Sequence, residues 1–227
     1  MPYIVSAEEM EGNWIAHVPD LPGCFATHRD REAAISAVPS AVEGYTAWCR
    51  SHGLSISGLS GPMVVSEVVR AWFYEPEYEV NAFFASDRPP VSVDEIPEFE
   101  RLLHATRKDL LGSVSDLNSE DLDREVPGER WPIQGVLLHI ANAEWWYMDR
   151  MGLGIASSDL PDDAFQRLQR VREHFLSQLK ALAGRSGVVT LSGETWAARK
   201  VLRRAIWHER DHTDHIAKLR RMIPRSG

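Results

Sequence analysis

The chain has 227 residues, 44% hydrophobic and 26% charged, with a formal net charge of −8. That balance is ordinary for a globular protein; the acidity argues against a nucleic-acid-binding surface, and no apolar run approaches the ~18 residues of a membrane span. The opening Met1-Pro2-Tyr3-Ile4-Val5-Ser6 lacks the basic flank and apolar core of a signal peptide, so a cytoplasmic protein with no membrane or nucleic-acid partner is expected.

Charge is unevenly spread. Residues 1–92 hold 12 acidic residues against 5 Lys/Arg, a net of −7, whereas the remainder holds 21 against 20, a net of −1. The asymmetry points to two domains, 1–90 and 91–227, the first acidic enough to attract a basic protein partner. Cys24 and Cys49 fall in no Cys-x-x-Cys motif and read as buried thiols.

Tyr3-Ile4-Val5, Asn13-Trp14-Ile15-Ala16-His17-Val18 and Cys24-Phe25-Ala26-Thr27 read as short strands, the second by its alternation. Turns are expected at 8–12 and at Pro19-Asp20-Leu21-Pro22-Gly23. Asp30 is placed to cap a helix that runs to about His52, closes at Gly53 and kinks at Pro39. Residues 63–70 and 77–85 are expected to add two strands, and Asp87-Arg88-Pro89-Pro90 a linker.

Beyond the linker the hydrophobic period becomes helical. Phe99, Leu102, Leu103, Thr106, Leu110 and Val114 share one face. A second helix is expected from about Pro132 to Met151, a third opens at Pro161, and a fourth spans Thr195 to Met222. Four amphipathic helices of this length can enclose one core. The expected fold class is α+β: a small α/β domain followed by an all-α four-helix bundle.

Val201, Ala205, His208, His212, Ile216, Leu219 and Ile223 recur every three or four residues, so imidazoles interrupt the apolar face of the last helix. Buried imidazoles need partners, and a divalent cation can serve two or three at once. His208 and His212 stand one turn apart and need a third ligand from a facing helix. His139, beside Val136 and Ile140, offers one. Imidazole suits Zn²⁺, Ni²⁺ or Fe²⁺ alike, and three protein ligands leave a position for water or substrate. The alternative is a structural core in which the histidines pair with Asp211, Asp214 or backbone groups. His208-Glu209-Arg210-Asp211-His212 also spells His-Glu-x-x-His, but the extended protease form requires Gly and His where this chain has His215 and Lys218.

The runs Leu137-Leu138-His139-Ile140-Ala141-Asn142-Ala143-Glu144-Trp145-Trp146 and Trp207-His208, with His212-Thr213-Asp214-His215-Ile216, resemble the DinB-like superfamily of four-helix bundles over about residues 94–223. The resemblance implies a divalent metal on His139, His208 and His212, with no ligand role for His215. It also implies a thiol-dependent S-transferase or isomerase acting on a low-molecular-weight bacterial thiol. Glu144, Arg203, Arg204 and Arg210 are then candidates to hold such a substrate, against the plainer reading of solvated helix charges. No single catalytic residue is identified.

Trp14-Ile15-Ala16-His17-Val18-Pro19-Asp20-Leu21-Pro22-Gly23-Cys24, with the helix after Asp30, resembles HicB-like antitoxin domains. That resemblance implies a reduced ribonuclease H-like fold of ββαβ type and a small basic protein partner. No DNA-binding segment follows, and Asp20 alone is not the carboxylate cluster of a nuclease. Adjacent Trp145 and Trp146 cannot both face a core, so one is expected at a pocket mouth or an interface, which leaves a homodimer open.

Overall fold

The computed structural model describes residues 2–55, 61–76 and 78–223. They form two compact units. The first takes the chain up to Val91 together with Arg185–Trp207; the second takes Ser92–Gly184 and the residues from His208 on. Among the described residues no helix is long and apolar enough to cross a membrane.

The first unit is built on a sheet of β1 (Tyr3–Met10), β2 (Asn13–His17), β3 (Phe25–His28) and β4 (Met63–Val69), in the order β3-β2-β1-β4. β1 runs antiparallel to β2 and parallel to β4. A parallel pair needs a crossover, supplied here by α1 (Arg31–Ser36) and α2 (Val38–Ser51). Asp30 caps α1, its carboxylate accepting from the Ala33 amide at 2.8 Å. The single kinked helix expected over 30–52 is instead two helices. Pro39 has no N–H to give and its ring clashes with the preceding turn, so it sits at the start of α2 rather than inside one helix. β1 also runs further than expected, through Met10, which confines the turn to Glu11 and Gly12, both at positive φ.

Only a fragment of the strand expected over 77–85 forms. β5 (Phe73–Glu75) pairs with β6 (Tyr78–Glu79), and Glu77 lies outside the described residues. Asp87 is no solvated linker residue. It is buried, accepting from Nε and Nη2 of Arg203 at 2.9 and 2.8 Å. Residues 185–207 return to this unit as a hairpin, β7 (Val189–Leu191) and β8 (Glu194–Trp196), and as the start of α7 (Ala198–Met222). The hairpin moves the expected start of the last helix from 195 to 198. Lys200 anchors it, its fully buried ammonium donating to Glu194, to Asn81 O and to Thr195 O at 2.8–3.0 Å.

The second unit holds α3 (Ile96–Gly112), the short α4 (Ser119–Asp123), α5 (Ile133–Arg150), α6 (Ala164–Leu182) and the C-terminal part of α7. Leu110, Val136, Leu137, Ile140, Leu168, Ile216 and Leu219 form its apolar core. These are the i, i+3, i+4 positions of the sequence stripes, each adding roughly 1.5–3 kcal/mol by leaving water.

Candidate metal centre

α5 and α7 bring three imidazoles to one point. His208 Nε2 lies 3.1 Å from His139 Nε2 and 3.0 Å from His212 Nε2. The three residues offer one ring nitrogen each, all within 4.8 Å of one another. His208 is buried and the other two are partly so. Each imidazole nitrogen carries in its plane either one proton or one lone pair, so His208 Nε2 cannot make two good hydrogen bonds to two other ring nitrogens. A cation among them accepts all three lone pairs. Ligand nitrogens at ~2.0–2.1 Å from a tetrahedral zinc stand about 3.3 Å apart, close to the two separations from His208, while His139 and His212 lie within 4.8 Å of each other. The donor set therefore fits a divalent ion.

Aromatic rings pack against the imidazoles. Trp131 stacks on His139, with centroids 4.8 Å apart and planes 28° from parallel, and Tyr147 meets His208 edge-on at 6.0 Å. Trp131 also lines a cavity of about 460 Å³ formed by residues 125–132. From the same loop Glu129 bonds to His215 Nε2 at 3.0 Å and to Lys218 Nζ at 2.8 Å. Those two contacts hold its carboxyl below the usual range. His215 is thus not at the meeting point of the other three.

Beside the histidines lies a closed ring of buried ions. Arg107 donates to Glu209 at 2.5 Å and to Glu144 at 2.6 Å. Arg172 donates to Glu144 at 2.5 Å and to Glu209 at 2.8 Å. Thr106 adds a hydroxyl bond to Glu209, and each arginine spends another N–H on a backbone carbonyl, Leu168 O or Leu103 O. Burial alone would raise the Glu209 pKa, but Arg172 and Arg107 outweigh it and hold the group below the usual carboxylate range. Glu209 is thereby kept ionised and fully engaged, unsuited to the general-base role that His-Glu-x-x-His assigns it.

Glu144, Arg203 and Arg204 are buried rather than solvated. Glu144 serves the ion ring, while Arg203 pairs with Asp87 and Glu8. Sequence reasoning missed Arg107 and Arg172. A signal existed for the second: Leu168, Arg172 and Phe175 follow at steps of four and three, which puts the guanidinium on the apolar face of α6.

A family model described as the DinB superfamily matches residues 102–216. The chain belongs to the DinB superfamily. The matched segment includes His139, His208 and His212, so all three converging imidazoles lie within the DinB region. The match leaves residues 1–101 outside it, and the HicB likeness gains no support there. No curated protein and no solved structure matches the chain.

Proposed function

We propose that this DinB-superfamily protein is a metal-dependent enzyme that transfers a group to or from a low-molecular-weight thiol, with His139, His208 and His212 holding the cation. The convergence of three ring nitrogens within 4.8 Å carries the reading. Three protein ligands are the number found in catalytic rather than structural zinc sites. When bound, a divalent cation lowers the pKa of a coordinated thiol and so supplies a nucleophile at neutral pH. The chain's own residues set the rest. Trp131 and Tyr147 orient the imidazoles, the Arg107–Arg172–Glu144–Glu209 ring fixes the helices that carry them, and His215, paired with Glu129, offers a polar group one turn beyond His212.

Elemental analysis of protein purified without an affinity tag tests the metal. About one Zn²⁺, Ni²⁺ or Fe²⁺ per chain is expected, removable by chelator and restored on readdition. Conversion of an electrophile by a small thiol should depend on that ion and disappear in His212→Ala. Substoichiometric metal that none of the three ions restores would overturn the proposal.

We further infer that the first unit is a HicB-like module that binds a basic protein. Two observations favour it. The sheet order β3-β2-β1-β4, with both helices between β3 and β4, suits a reduced ribonuclease H-like fold, and Trp72, Phe73 and Tyr74 stand exposed in a stretch, residues 1–92, of net charge −7. Exposed aromatic patches of this kind mark interaction surfaces. Affinity capture with the full chain should recover a basic protein, and Phe73→Glu should release it. Recovery of nothing specific, or only a second copy of the chain, counts against this reading.

A further inference from the structure

Trp131 occupies an unusual position relative to the imidazoles. It precedes Pro132, the N-cap of α5, and its side chain lies against the first turn of that helix. Gly135 makes room for it: a Cβ at position 135 would stand 2.9 Å from Trp131 Cβ and 3.2 Å from Trp131 Cγ. Gly135 and His139 are four apart and share one side of the helix, and the indole of Trp131, which precedes the N-cap, lies over Gly135 and reaches His139. There the rings stack at 4.8 Å. The guanidinium of Arg130 also lies over the indole, 4.3 Å from its centroid. Glycine is a poor choice inside a helix, the worst after proline. Its presence here is explained by the indole it admits.

We propose that Trp131 is a positioning residue for His139. The χ2 torsion of a histidine is broad, and rotation about it swings Nε2. A flat indole against its face restricts that rotation and favours the orientation in which Nε2 meets His208. Outer-shell groups that fix ligand orientation in this way are worth about 10- to 100-fold in metal affinity. The stack does so through the geometry of one glycine and one tryptophan. This inference rests on the metal reading of the three histidines.

The test uses full-length, tag-free, chelator-stripped protein titrated with Co²⁺, read by its visible d–d absorption and by indole fluorescence. The wild-type chain should bind Co²⁺ with a spectrum characteristic of nitrogen ligation. Trp131→Ala should weaken binding about 10- to 100-fold and alter the spectrum. Trp131→Phe, which keeps a ring against the imidazole, should recover most of the affinity. Gly135→Ala leaves the indole in the sequence but displaces it, and should weaken Co²⁺ binding by about 10-fold although alanine favours the helix. Thermal unfolding of each metal-free variant separates loss of fold from loss of the site, and Gly135→Ala keeps the test decisive if Trp131→Ala does not fold. Wild-type binding with Trp131→Ala and Gly135→Ala unchanged overturns the positioning role alone. Folded wild-type protein that takes up no Co²⁺ overturns the metal reading and this role with it.

Discussion

The Nε2 atoms of His208 and His139 lie 3.1 Å apart although 69 positions separate the residues in the chain. Two ring nitrogens this close share a proton or a cation, and under the proposed function a cation would also serve the third, from His212. Ligand-free protein should therefore be less stable than loaded protein. With Zn²⁺ at about 100 times its Kd, the gain is about 2.7 kcal/mol, or roughly 5–10 °C in Tm for a chain of this size. Calorimetry with and without Zn²⁺ measures it. His212→Ala should abolish the shift while leaving the metal-free Tm within a few degrees. An equal shift in the variant would place the cation elsewhere.

The histidines were legible because a helical period is a strong constraint. Once Val201, Ala205, Ile216 and Leu219 define the buried face, His208 and His212 have only one place to be. Their meeting with His139 depended on how α5 packs against α7, which no single-helix pattern contains. The ion ring was hidden for a related reason. No local pattern singles out Arg107, and Glu209 shows in the sequence only as part of His-Glu-x-x-His, until the helices are assembled and each acquires partners from two others. The hairpin at 189–196 escaped notice because three-residue strands carry almost no periodic signal. Asp87 was misread because its Pro-rich neighbours dominate the local pattern, while its partner Arg203 stands 116 residues away.

Glu209→Gln should act on stability rather than on peptide cleavage. Arg107 and Arg172 each donate to Glu209 inside the protein, and neutralising it leaves two buried guanidinium groups sharing Glu144 alone. Breaking one partner out of a buried ion cluster costs about 3–5 kcal/mol. Urea unfolding should show that loss as a lower midpoint with little change in slope. A variant as stable as the wild type but stripped of proteolytic activity would support the protease reading set aside above.

Gly193→Ala and Gly44→Ala should have opposite signs. Gly193 turns β7 into β8 at φ +72°, and an added Cβ would lie 2.6 Å from Tyr74 Cδ2 and 2.9 Å from Trp72 Cη2. Backbone strain and overpacking together should cost about 1–3 kcal/mol. Gly44 is exposed inside α2, where an added Cβ meets nothing within 4 Å, so alanine should stabilise by up to about 1 kcal/mol. Thermal melts of the two variants side by side check both signs.

His17 should give the protein an acid-sensitive leg of stability. The ring is buried between Phe84 and Trp207, with Nε2 2.8 Å from a Glu8 carboxylate oxygen. Burial pushes its pKa below the ordinary histidine value and the nearby Arg203 and Arg204 push the same way, with Glu8 only partly compensating. The folded state therefore keeps His17 neutral where the unfolded chain, titrating near pH ~6.5, already takes up a proton. Stability is full above about pH 6.5 and falls as the pH drops from there toward the folded-state pKa, by at most ~1.4 kcal/mol per pH unit. Urea unfolding at a series of pH values between about 7.5 and 5 should show this slope in the wild type. His17→Gln has no proton to take up in either state and can still offer an amide to Glu8, so its curve should be flatter over that interval. Parallel curves for the two proteins would mean that the acid sensitivity belongs to other groups.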